Sequence, residues 1–237
     1  MTNKKILLIQ FRNNKLAEHE FECVKSKIIS KNAKLESYNA FLKAPSFKLL
    51  EKYDALIFGG CGEFFVSQKN YSQQDKILNL IKKAAAKNIP MLGLCFGFHL
   101  IGQALGGEII HDPITKEVGT YKIHLNKTGQ KNLLFKKISP IFLAQEGHKD
   151  KMKKLPDNAI NLASSQKCHY QAFTIKNKLI FGTQFHPELS AFDVKTRLDF
   201  FKDIYSSGNN EYKNILKRTK NTPVSEKVIQ NFIDLLL

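Results

Sequence analysis

The segment Ile89-Pro90-Met91-Leu92-Gly93-Leu94-Cys95-Phe96-Gly97-Phe98-His99-Leu100-Ile101 decides how this chain folds. A short apolar run enters it, a thiol sits between two glycines, and a helix-like apolar run leaves it. The spacing predicts a strand, a sharp turn and a helix, with Cys95 at the apex. In an α/β fold such an elbow thrusts its apical side chain clear of the sheet, and the following helix aims its N-terminus at the same point. Gly93 and Gly97 supply the small residues that a crowded turn needs. The thiolate is the reactive form of cysteine, and the positive end of the helix dipole is expected to favour it. A cysteine in an apolar segment is by itself more often a small core residue. Cys95 is therefore a candidate nucleophile only if the chain also supplies a base.

Outward from this elbow, strand-like and helix-like runs alternate. Lys5–Gln10, Leu35–Tyr38 and Ala55–Phe58 read as strands, separated by helical stretches near Glu18–Ser30 and Phe47–Tyr53. Ile77, Leu80, Ile81 and Ala84 recur at helical spacing within Asp75–Lys87, which leads into the elbow strand. This alternation predicts an α/β fold, an open and mostly parallel sheet with helices on both faces. The middle of the chain changes character. Glu108–His111, Tyr121–Leu125, Ile141–Gln145, Ala159–Ser164, Gln171–Ile175 and Leu179–Gln184 predict shorter strands in a smaller mixed or antiparallel extension. After Pro187 the pattern is helical again over Val194–Tyr205, Tyr212–Lys217 and Val224–Leu236, with Thr222-Pro223 and Glu226 as a helix start. The expected organisation is a catalytic unit over 1–190 and a C-terminal helical segment over 191–237 packed on the same domain.

With 237 residues, 43% of them hydrophobic, the chain can bury one large core. No apolar run approaches the roughly 20 residues that span a bilayer. Ile6-Leu7-Leu8-Ile9 is too short for a signal-peptide core, so a cytoplasmic protein with no membrane partner is expected. Cysteines 23, 61, 95 and 168 show no paired spacing for zinc or thiol exchange, and the seven histidines form no helical His-x-x-x-His pair. Neither a metal nor a cofactor is expected. The net charge of +16 raises the question of nucleic acid. Yet 34 of the 37 basic residues are lysines spread along the chain, and only Arg12, Arg197 and Arg218 could make bidentate contacts. A solvated, lysine-rich surface is the expected reading, with no nucleic-acid partner.

One histidine has surroundings that suggest chemistry. Phe181-Gly182-Thr183-Gln184-Phe185-His186-Pro187-Glu188 places His186 at the C-terminal end of an apolar strand, where catalytic groups of open α/β sheets gather. Pro187 restricts the backbone between His186 and Glu188, and the carboxylate can orient one ring nitrogen while the other takes the thiol proton. The result is a Cys95-His186-Glu188 triad, although 91 positions separate the thiol from the imidazole. Oxyanion donors are expected from the Phe96 N–H, just after the nucleophile, and from the loop Gly59-Gly60-Cys61-Gly62, through Gly60.

These residues resemble the class I, triad-type glutamine amidotransferase family. Gly93-Leu-Cys-Phe-Gly97 resembles its nucleophile motif, Phe185-His-Pro-Glu188 its base motif and Phe58-Gly-Gly60 its oxyanion strand. Gly147-His148-Lys149-Asp150 before Leu155-Pro156 is similar to its His-x-Asp segment. The four motifs stand in family order over about residues 54 to 190. The resemblance implies a flavodoxin-like three-layer fold and hydrolysis of a γ-glutamyl amide through a thioester on Cys95, releasing ammonia or an amine. It also implies substrate contacts from His99, Gly147 and His148. The chain departs from the family at His99, where a substrate-holding glutamine is common, and at Cys61-Gly62-Glu63, where proline is frequent. No synthetase and no nucleotide-binding glycine loop are present. The implied partner is a separate synthetase subunit; the alternatives are a self-sufficient γ-glutamyl peptidase or hydrolase and a catalytically silent binding or regulatory subunit. Oligomeric state is not legible in the sequence.

Overall fold

Four runs, β1 (Lys4–Gln10), β3 (Ala55–Phe58), β4 (Met91–Leu94) and β11 (Ile180–Thr183), are apolar on both sides and form the centre of the structure, a computed structural model describing residues 3–12, 15–206 and 208–237. Strands buried on both faces require a layer of helices on each. In chain order the remaining elements are α1 (Leu16–Ser26), β2 (Ala33–Asn39), α2 (Phe47–Leu50), α3 (Gln74–Ala86), α4 (Phe96–Ala104), β5 (Glu108–His111), β6 (Glu117–Leu125), α5 (Lys127–Lys131), β7 (Ile141–His148), β8 (Asp150–Lys154), β9 (Ala159–Ser164), β10 (Ala172–Ile175), α6 (Ala191–Phe200), α7 (Lys202–Tyr205), α8 (Asn209–Arg218) and α9 (Lys227–Asp234).

The large sheet runs β2-β1-β3-β4-β11-β10-β9-β6-β7. Its first five strands are parallel, in the 2-1-3-4-5 order of a doubly wound fold, and the last four extend it antiparallel. Side chains alternate between two cores, as the strand period of two requires. Leu7, Ile9, Leu56, Phe58 and Met91 pack towards α3 and α4, whereas Ile6, Leu8, Ala55, Ile57, Leu92 and Leu94 pack towards Val24 of α1 and Val228, Ile229, Phe232 and Ile233 of α9.

Four sequence expectations are corrected. β5 leaves the large sheet and pairs with β8 in a separate two-stranded ribbon. β8 itself was hidden in a lysine-rich stretch, where Met152 alone turns into the core beside exposed Lys153 and Lys154. The helix expected over Val194–Tyr205 breaks into α6 and α7 at Phe201. The Phe201 ring is buried and lies 2.6 Å from where a Gly62 Cβ would stand, so burying it takes precedence over helical continuity. Thr222-Pro223 opens a turn closed by Ser225 N–H to Thr222 O, and α9 begins only at Lys227.

The elbow explains its glycines. A Cβ on Gly97 would stand 2.1 Å from the Phe58 carbonyl oxygen, and one on Gly93 2.5 Å from the Gly97 oxygen. Both obstacles are backbone and cannot swing away. Gly97→Ala is expected to lower the free energy of unfolding in urea by at least about 3 kcal/mol. Gly106→Ala, whose Cβ meets nothing within 4 Å, carries only the strain of its positive φ of 103°, roughly 1–2 kcal/mol.

Candidate active site

The carboxyl ends of four adjacent parallel strands converge. Arg12 follows β1, Gly59-Gly60 follows β3, Cys95 follows β4 and His186 follows β11. Doubly wound sheets bind ligands at this edge, where the strand order reverses.

Cys95 caps α4 with φ 50° and ψ −97°, a backbone conformation that L-residues rarely adopt. Cys95 N–H donates to Thr183 O at 2.8 Å, and Gly97 N–H to Gly59 O at 3.1 Å, which ties the elbow to both neighbouring strands. Sγ lies 3.8 Å from Gly147 O and 3.8 Å from Gln184 Nε2. Burial pushes the thiol well above its ordinary range, Glu146 and Glu188 push the same way, and Arg12 and Arg197 oppose them without prevailing. The resting sulfur is therefore a neutral thiol, against the expectation of a dipole-favoured thiolate. Desolvation of a fully buried anion outweighs the field of one helix end.

His186 N–H donates to Gln145 O on β7 at 2.8 Å, which fixes the strand exit. Its Nδ1–H donates to Glu188 Oε1 at 2.7 Å, and Arg197 Nη1 from α6 reaches the same oxygen at 3.0 Å. Burial alone would raise the Glu188 carboxyl, but His186 and Arg197 outweigh it and hold it at about 2. Among the described residues no hydrogen bond joins Cys95 to His186. Each instead flanks Gly147, whose Cβ position is 3.8 Å from His186 Nε2.

Gly60 N–H donates to Glu20 Oε1 at 3.0 Å, so in this conformation the expected oxyanion donor is engaged. Glu20 is fully buried and pairs with Arg12 Nε at 3.2 Å. The Phe96 N–H opens α4, where the helix itself offers no acceptor.

His99 is buried and bonded through Nε2 to Gln184 Oε1 at 2.7 Å, and burial lowers its pKa to about 4, so the ring is neutral. His148 has both nitrogens engaged: Nδ1–H donates to Asp150 O at 2.9 Å, and Nε2 lies 3.2 Å from Glu117 Oε2. Asp150 receives Ser67 N–H and Oγ–H, at 2.9 and 2.7 Å. Two small cavities meet around Cys61, Gly147 and Tyr205. One of about 40 Å³ lies on the His186 side with Arg12, Glu146, Arg197 and Phe201. The other, about 20 Å³, lies on the Cys95 side with Phe96, His99 and His148.

Sequence reasoning noticed Arg12 and Arg197 only as two of three arginines; both are buried at this site, while Arg218 donates to Val118 O and lies over Tyr121. Glu20, Gln184 and Tyr205 gave no local signal. For Glu188, a pKa depressed from 4.5 to about 2 means stabilisation present in full above about pH 4.5 and lost as pH falls through about 2. The stability difference between wild type and Glu188→Gln, measured by urea unfolding, should therefore shrink by about 3 kcal/mol from pH 6 to pH 2. A constant difference would contradict the charge assignment.

Residues 15–202 match the family model described as glutamine amidotransferase class-I. The chain is 33% identical over 165 residues to a subunit of the glutamine-hydrolyzing GMP synthase of Sulfurisphaera tokodaii, covering 68% of this chain and 82% of that protein. It is 38% identical over 116 residues to the protein of the same name from Methanocaldococcus jannaschii, covering 49% and 60% respectively. Among solved structures, a glutamine amidotransferase from Thermotoga maritima superposes with a TM-score of 0.76 at 20% identity, covering 100% of this chain and 99% of that one. One from Methylobacillus flagellatus gives 0.72 at 17% identity, covering 98% and 95%. With the match to the family model spanning most of its length, the chain belongs to the class I glutamine amidotransferase family.

Proposed function

We propose that Cys95, His186 and Glu188 carry the amide hydrolysis of this amidotransferase, with free glutamine as the substrate. Cys95 Sγ attacks the γ-carboxamide carbon while His186 Nε2 accepts the thiol proton. The tetrahedral oxyanion is met by Phe96 N–H, and by Gly60 N–H once it leaves Glu20. His186 then returns the proton to the departing nitrogen, ammonia leaves, and water hydrolyses the γ-glutamyl thioester to glutamate. A neutral resting thiol suits this scheme, because the proton moves only when the substrate brings thiol and imidazole into line. His99 and Gly147 sit beside the sulfur, where a γ-glutamyl chain would lie, and His148 supports that wall.

The observation that carries the glutamine reading is the flanking of Gly147 by Cys95 and His186 in a chain whose residues 15–202 match the class I glutamine amidotransferase model. Both cavities are far smaller than a ligand-sized pocket, so substrate enters by displacing side chains that line them, Tyr205 foremost because it is the largest side chain bordering both. A γ-glutamyl hydrolase for larger amides is the second reading, favoured by His99 in the place of the family's glutamine.

The relatives are named as one part of a synthase, which supports a separate synthetase subunit that consumes the ammonia. The contact of Arg197 with Glu188 and the packing of α9 on the sheet support a single body in which 191–237 joins the catalytic unit of 1–190. Four cysteines without disulfides support a reducing compartment such as the cytoplasm. Among the described residues no helix is long and apolar enough to cross a membrane.

Cys95→Ala is expected to lower glutamine hydrolysis at least ~10³-fold with the fold intact, read by ammonia release and circular dichroism. Unchanged turnover would overturn the assignment. The kcat/KM for glutamine should exceed that for γ-glutamyl dipeptides at least ~10-fold; the reverse order would favour the second reading.

A further inference from the structure

The cavity on the Cys95 side is lined largely by Phe64, Phe65 and Phe96, and nearly every charged or ring-nitrogen group in its wall is already engaged. His99 is held by Gln184, and His148 uses both nitrogens. Asp150 receives Ser67 N–H and Oγ–H and lies 2.9 Å from His111 Nδ1. Lys149 is the exception. Among the described residues it is the only lysine or arginine lining this cavity, and none of them takes its Nζ in a hydrogen bond or an ion pair.

The chain fixes where this lysine stands. Lys149 occupies the bend between His148, the last residue of β7, and Asp150, the first of β8, and its carbonyl accepts Asp112 N–H at 2.8 Å. It follows Gly147, whose oxygen lies 3.8 Å from Cys95 Sγ, by two residues. The side chain is half-buried, and burial, with Lys116 after it, lowers the pKa of the ammonium. Lys116 is itself paired with Glu211 at 2.9 Å and donates to Tyr205 O at 3.3 Å. The wall of the cavity therefore carries one ammonium without a counter-ion.

A partly dehydrated ammonium offers three donors and gains most from an anionic acceptor. A substrate whose carboxamide carbon meets Cys95 extends its other end along this wall. In a γ-glutamyl compound that end bears an α-carboxylate, which an aromatic lining cannot take up without an ionic partner. We propose that Lys149 Nζ binds this α-carboxylate, so that the site selects γ-glutamyl compounds in which it is free, a proposal that rests on the reading of this cavity as the γ-glutamyl site. Glutaminyl side chains inside a peptide are excluded, because an amide replaces their carboxylate. The contact is far from the reacting atoms and is made equally in the ground state and the transition state, so it acts on KM and not on kcat.

The test uses the full chain carrying Cys95→Ala, which binds without turnover, titrated calorimetrically with L-glutamine and with L-glutamine α-amide. L-Glutamine should bind at least ~10-fold more tightly than its α-amide. Adding Lys149→Met should remove this preference by weakening L-glutamine alone, and Lys149→Arg should retain it. A role confined to the fold would weaken both ligands together. Circular dichroism checks that each variant is folded. With Cys95 intact, Lys149→Met should raise KM for L-glutamine at least ~10-fold and change kcat less than ~3-fold. A preference that survives Lys149→Met overturns the proposal, as does equal or absent binding of the two ligands before Lys149 is changed. L-Glutamine bound through Lys149 but not hydrolysed by the chain with Cys95 intact would support this contact and overturn the hydrolytic reading.

Discussion

The backbone contact between Gly97 and Phe58 is the constraint on which the site depends. With only 2.1 Å between the Phe58 oxygen and the place a Cβ would take, α4 lies as close to β3 as two main chains allow. That approach leaves Cys95 in a strained conformation, of a kind that costs about 1–3 kcal/mol and persists only when its surroundings over-determine it. Here they do, through Thr183 O on β11 and Gly59 O after β3. Strain, nucleophile position and the neighbouring strand ends are one geometric fact.

Behind that junction stand two buried ion pairs, Arg12–Glu20 and Glu188–Arg197. Buried pairs contribute little net stability, because desolvation opposes their attraction, but removing one partner leaves an uncompensated charge. Their effect here is on position. Glu20 holds Gly60 N–H, and Arg197 shares with His186 the oxygen that fixes its ring. The positive charges also partly offset the burial and, after it, the carboxylates that keep the Cys95 thiol protonated.

The elbow, β3, β5 and β9 were legible because local patterns define them: apolar runs of strand length closed by glycine or polar turns. The two-faced parallel sheet followed from the same alternation. β8 was not legible, since only Met152 in a lysine-rich run betrays its inward face. The break at Phe201 was invisible because it answers to Gly62, far away in sequence. Cys95 and His186 were read from local motifs, but their spatial relation, each beside Gly147 without a shared hydrogen bond, is a tertiary quantity. The protonated thiol escaped sequence reasoning for the same reason: a helix end is visible in a sequence, and burial is not.

The chain beyond β11 serves opposite sides of the sheet. α6 and α7 bring Arg197 and Tyr205 to the carboxyl edge, and α9 lays Val228, Ile229, Phe232 and Ile233 under the far face. A ribosome makes these residues after every strand of the sheet they cover, at roughly 5–20 per second. A nascent chain already containing Cys95, His186 and Glu188 still lacks the cation that neutralises Glu188 and one wall of a core. A growing chain that has reached only β11 thus carries the Cys95 thiol without these groups around it.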